Sequence, residues 1–162
     1  MKDASYIWWA LRPSLKYPTL ELRAPDCCTH LEDTIAIASL FRVLTRYLFR
    51  NESHPPALSS LTRAIAVENK WRAQRFGIHG SFATESGPIS VPDFLQALIE
   101  MTAEDADALG CAGEVADCRK IIERGTSADA QLDIFQKCQG QGQDSALTSV
   151  ARWCVETTTK PS

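Results

Sequence analysis

Alternation between apolar and polar positions marks the first elements of the chain. Tyr6 to Arg12 and Pro18 to Ala24 alternate with a period of two and are rich in aromatic and aliphatic residues, so they predict two short strands. Pro13-Ser14-Leu15-Lys16-Tyr17 joins them into a hairpin. Successive strand side chains point to opposite faces, so Leu20 and Leu22 lie on one face and Thr19, Glu21 and Arg23 on the other. Pairing Leu11 with Leu20 and Trp9 with Leu22 buries one apolar face. That register places Ala10 across from Glu21 and Trp8 across from Arg23.

The period then changes from two to between three and four. Thr29-His30-Leu31-Glu32 has the form of a capping box, predicting a helix that runs to about Arg50. Its apolar stripe is Leu31, Ile35, Ala38, Phe41, Leu44 or Thr45, and Leu48. Asn51 to Pro56 breaks the pattern, and a second helix is expected from Ala57 to Phe76, stopped at Gly77. Residues 78–90 read as a Gly-, Ser- and Pro-rich loop. A helical tail fills 91–162. Pro92 stands near the start of a helix reaching Leu109-Gly110, and Ala112 to Arg124 forms another, closed by Gly125. Ser127 caps the next through Cys138, Gly140 to Gln143 is a break, and Asp144 or Ser145 caps the last, through Glu156. No internal repeat is visible.

The predicted class is therefore α+β: a short antiparallel hairpin followed by about six helices, as a single domain over 162 residues. A lone hairpin is marginal in water. One carrying two tryptophans reads as the edge of a larger sheet, completed by another chain or by the rest of a longer protein, the latter being favoured.

Composition narrows the function. A net charge of −3 gives no electrostatic reason to expect nucleic acid or an anionic membrane as partner. No apolar run approaches a membrane span. Six cysteines without a preceding signal-like segment predict reduced thiols and a cytoplasmic protein. Cys27-Cys28 has no second Cys or His pair at ligand spacing, which argues against zinc. His30, His54 and His79 show no ligand spacing either, and the four tryptophans are expected to pack.

Glu21 and Arg23 suit a metal-and-phosphate site or an ordinary surface ion pair, and Arg12 can reach a phosphate or close the turn. Arg42, Arg46 and Arg50 form a basic stripe expected to face solvent near the helix C-terminus. Asn69, Arg72 and Phe76 share a helix face, with Glu68 placed to pair with Arg72.

The run IWWALRPSLKYPTLELRAPDCCTHLEDTIAIASLFRVL, together with Glu68-Asn69-Lys70-Trp71-Arg72-Ala73-Gln74-Arg75-Phe76-Gly77, resembles the bacterial carboxylate-amine ligases of the type-2 glutamate–cysteine ligase family. The likeness extends over nearly the whole chain and matches the C-terminal portion of that family. It implies ATP-dependent amide formation through an acyl phosphate, with ATP and Mg2+ as cofactors and an amino-acid carboxylate and amine as substrates. It further implies Glu21 as a metal ligand, Arg23 as the catalytic arginine facing the phosphates, and Arg12, Arg72 and Arg75 as candidates for binding ATP or substrate. Hard oxygen ligands suit magnesium, and guanidinium groups suit a transferring phosphoryl group. Where the family has an aspartate, this chain has Ala10. The resemblance also implies an N-terminal region of comparable size that supplies further strands and acidic ligands. Two alternatives stand beside the ligase reading: a non-catalytic remnant that self-associates through the hairpin as a homo-oligomer, and a binding module for an anion or small molecule.

Overall fold

The computed structural model describes residues 10–14, 16–51 and 59–159. Tyr6 to Trp9, His54 and the first residues of the expected second helix lie outside that range. Strands β1 (Leu11–Pro13) and β2 (Leu20–Leu22) form an antiparallel hairpin, followed by helices α1 (Leu31–Arg50) and α2 (Ser60–Phe76). A second hairpin, β3 (Ser81–Thr84) and β4 (Gly87–Ser90), precedes α3 (Val91–Met101), α4 (Ala103–Ala108), α5 (Ala112–Ala116), α6 (Cys118–Arg124), α7 (Ser127–Cys138) and α8 (Gln143–Thr159). The class is the α+β, mostly helical one that the periodicity predicts.

The second hairpin corrects the loop expected over residues 78–90. Phe82 pairs with Ile89, and Phe82 meets Phe94 of α3 edge-on at 5.0 Å, so the strand pair has an apolar face to bury. Gly87 (φ 124°) and Pro88 disguise it. Pro88 is tolerated because it sits opposite Ala83, whose backbone N–H and C=O both turn away from β4.

Those turned-away groups are met by Asn69 of α2. Its amide nitrogen donates to the Ala83 carbonyl (2.9 Å), and its carbonyl oxygen accepts from the Ala83 N–H (2.7 Å). A side-chain amide thus occupies the place of a neighbouring strand. Asn69→Ala leaves both backbone groups without this partner and should cost about 1–2 kcal/mol. Hydrogen exchange at the Ala83 amide should accelerate more than at α7 amides, and equal change at both would refute the local role.

The helical tail is more finely divided than its apolar pattern suggests. Thr102, fully buried, interrupts the predicted helix between α3 and α4, its hydroxyl donating to the Leu98 carbonyl. Asp117 separates α5 from α6. Thr126, not Ser127, caps α7: its hydroxyl accepts from the Asp129 N–H while the Asp129 carboxylate accepts from the Thr126 N–H. The capping box expected at Thr29 does not form. His30 occupies the N-cap of α1, and the Thr29 hydroxyl is drawn 2.6 Å from that of Ser127 instead.

The core centres on Val43, Ala106, Cys111 and Val115, with Leu40, Ile99 and Leu109 packed around them. Helix α1 therefore buries Asp33, Ala36 and Val43 against α4, α5 and α6. The predicted apolar stripe is only partly inward: Leu31 (69%), Ile35 (45%), Ala38 and Leu48 are exposed, while Phe41, Leu44 and Thr45 are half-buried. A buried carboxylate misled the pattern. Asp33 is accepted inside because the Arg124 guanidinium donates to both of its oxygens, at 2.7 and 2.6 Å.

The basic stripe is likewise not all solvated. Arg46 and Arg50 both donate to the buried Asp105 carboxylate, and Arg50 also reaches Glu104 at 2.6 Å, fastening α4 to the end of α1. Arg42 remains exposed. Burial pushes the Asp105 carboxyl upward, but the hydrogen bonds from Arg50 and Arg46 outweigh it and hold the group below its ordinary value. A carboxyl depressed on folding contributes stability that is present above its unfolded value, about 3.9, and is lost as pH falls through the lower folded value. Asp105→Asn should therefore be less stable than the parent at pH 7, with the gap closing below about pH 4. Urea unfolding at several pH values measures this, and a gap unchanged down to pH 2 would contradict it.

Candidate functional site

Hairpin β1–β2 carries the candidate site, and its register differs from expectation by two residues. Leu11 pairs with Leu22, Arg12 with Glu21 and Pro13 with Leu20, while the Arg23 N–H donates to the Ala10 carbonyl at 2.8 Å. The turn fixes this alignment. Ser14 N–H donates to the Thr19 carbonyl, and the Ser14 hydroxyl accepts from the N–H groups of Lys16 and Tyr17. An even shift leaves every side chain on its predicted face. It changes who sits opposite whom: Ala10 stands across from Arg23, and Glu21 faces Arg12.

The consequence is a three-residue charge cluster. One oxygen of Glu21 accepts from Nε and Nη2 of Arg12, at 2.9 and 2.5 Å, and the other accepts from Nη1 of Arg23 at 3.4 Å. The guanidiniums are more sheltered than the carboxylate, which stays half-exposed. The structure thus brings Glu21, Arg12 and Arg23 together. Ala10 therefore does not stand directly opposite Glu21, and no acid is lost from that pairing position.

Arg72 and Arg75 belong to a different neighbourhood. Arg72 donates to Glu68 at 2.8 Å and reaches the Ser81 carbonyl and hydroxyl at 3.4 and 3.5 Å. Arg75 lies over the Phe76 ring, 5.7 Å from its centre. Arg72 and Asn69 thus brace the second hairpin, whereas Arg75 stacks within α2. Trp71, expected to pack, is half-exposed and touches Phe76 edge-on at 5.6 Å.

Behind the charge cluster, the apolar side of β2 opens on a cleft of about 510 Å³ between the hairpin and α1. Leu20, Leu22, Ile37 and Phe41 line it, together with Cys27 and Cys28. Burial raises the Cys28 thiol above its ordinary value, with a hydrogen bond from Thr34 acting in the opposite sense. The sequence offered no signal for this cleft beyond the alternation of β2.

Glu21 is a single carboxylate already held by two guanidiniums, and no group of three His, Cys, Asp or Glu able to hold a metal occurs among the described residues. These residues do not by themselves make a magnesium site. Among the described residues no helix is long and apolar enough to cross a membrane.

The candidate site is thus a carboxylate held between two guanidiniums at the first hairpin of a mostly helical α+β unit. Comparison makes the assignment specific. Residues 1–151 match the model of glutamate-cysteine ligase family 2, and the chain belongs to that family. It is 53% identical over 156 residues to a Bradyrhizobium diazoefficiens protein provisionally described as a glutamate–cysteine ligase 2, covering 96% of this chain and 35% of that protein. Proteins of the same provisional description from Rhodospirillum rubrum and Paracoccus denitrificans are 39% and 32% identical, over 99% and 96% of this chain. The chain spans 42% and 43% of their respective lengths.

Proposed function

We propose that this chain is one part of an ATP-dependent carboxylate–amine ligase of the glutamate–cysteine type. The observation that carries the reading is the Arg12–Glu21–Arg23 cluster in a chain of this family. In that chemistry a carboxylate is activated as an acyl phosphate and an amine then displaces phosphate. Guanidiniums aimed at a phosphoryl group supply charge where it develops, and positioning supplies much of the rest. Arg23 takes the role of the catalytic arginine, and Arg12 that of a phosphate or substrate contact. Glu21 contributes one oxygen ligand to a magnesium site whose other ligands come from polypeptide beyond this chain. Arg72 and Arg75 of α2 are the further candidates for contacting ATP or substrate, Arg72 from beside the second hairpin. The assembled enzyme works in the cytoplasm.

Exposed Leu31 and Ile35 support completion of the unit by further polypeptide. The test is calorimetric titration of ATP, with and without magnesium, into this chain alone and into the chain mixed with the remaining segment of a family relative. Magnesium-dependent binding by the mixture, weakened at least tenfold by Arg23→Ala and by Glu21→Gln, is the expected outcome. Tight phosphate binding by the isolated chain without magnesium would favour an anion-binding module. Self-association through the hairpin with no nucleotide binding by either preparation would favour the remnant.

A further inference from the structure

Cys27 and Cys28 take no part in the ligase reading, yet they stand together where a ligand can reach them. Cys27 is exposed and Cys28 half-buried, and both line the 510 Å³ cleft whose walls include Leu20, Leu22, Ile37 and Phe41. The segment is held in place: the Cys27 N–H donates to the Asp26 carboxylate at 2.8 Å, and the Cys28 sulfur lies 3.9 Å from the Asp26 carbonyl oxygen. No other cysteines of the chain are neighbours in sequence, and Cys111 and Cys118 are buried.

Adjacent Cα atoms across a trans peptide are about 3.8 Å apart, shorter than the roughly 4.4 Å at which ordinary disulfides begin. Direct closure of this pair is therefore disfavoured, whereas a soft atom inserted between the two sulfurs relaxes the ring. Soft thiolate ligands select soft partners. The second sulfur binds intramolecularly once the first is attached, which favours a paired site over any single thiol. The apolar walls set the rest of the ligand.

We propose that Cys27 and Cys28 form a dithiol site for a trivalent organic arsenical carrying one apolar substituent, with the substituent seated in the cleft. In the reaction with an arsine oxide, two arsenic–sulfur bonds replace the bonds from arsenic to the oxide oxygen. The two thiol protons leave on that oxygen as water. Arsenic stays trivalent, so no oxidant or reductant is needed.

The probe is phenylarsine oxide, added to the purified full chain and followed by intact mass and by competition titration. The expected result is one adduct per chain, stable to excess monothiol, reversed by 1,2-ethanedithiol, and formed at least tenfold more tightly than with inorganic arsenite. Cys27→Ser and Cys28→Ser should each weaken binding at least tenfold while retaining the parent circular dichroism. Cys138→Ser and Cys154→Ser should bind as the parent does. An adduct retained undiminished in Cys27→Ser and Cys28→Ser, failure to form any dithiol-reversible adduct, or equal affinity for arsenite and the phenyl compound would overturn the proposal.

Discussion

Arg124→Ala should destabilise the chain by about 3 kcal/mol, and by more than Asp33→Ala, although Arg124 is the more exposed partner. Asp33 is buried in the first turn of α1, where it receives both hydrogen bonds from one guanidinium. Deleting the arginine strands a carboxylate away from water, offset only in part by the helix N-terminus. Deleting the carboxylate leaves a guanidinium that is 41% exposed and can be resolvated, so about 1–2 kcal/mol is expected. Denaturant unfolding of both variants and the double variant tests the ordering. Asp33→Ala costing more than Arg124→Ala would mean that the pair matters chiefly through packing.

Val43→Ala should cost about 2–3 kcal/mol. Val43 is wholly inaccessible and lies among Ala106, Cys111 and Val115, where α1 meets α4 and α5. Two lost methyl groups account for roughly 1.6 kcal/mol of transfer, and the cavity left between rigid helices adds to it. At roughly 2–4 °C per kcal/mol for a domain of this size, the melting temperature should fall by about 4–12 °C. Ile35→Ala, on the exposed side of the same helix, should change it by less than about 2 °C. Comparable losses at both positions would show that the outer stripe is packed in solution.

The contrast between those two positions explains what the sequence made legible. Periodicity found α1 and the end of α2 nearly to the residue and placed the hairpin β1–β2, because local alternation acts over a few positions. It missed the most buried positions of α1, since a pattern counts hydrophobic residues and cannot foresee that Arg124, 91 positions away, makes Asp33 acceptable inside. Asp105 hid the roles of Arg46 and Arg50 in the same way. The hairpin at 81–90 was missed because glycine and proline dominate local signals, while the groups that secure it sit on Asn69 and Phe94. At the candidate site, strand alternation placed Glu21 and Arg23 on one face, while the pairing of Glu21 with Arg12 carried no signal in the alternation. The pairing depended on the Ser14 turn, whose hydroxyl contacts carry no periodic signal, and so Ala10 was set against the wrong partner.

The amide of Asn69 has a consequence for growth of the sheet. By occupying both backbone groups of Ala83, it caps the outer edge of β3 as a blocked terminus caps a polymer. Recruitment of extra strands, whether from a companion polypeptide or in off-pathway aggregation, is thereby steered away from that edge. One asparagine on a helix thus closes part of one edge of the second hairpin to further strands.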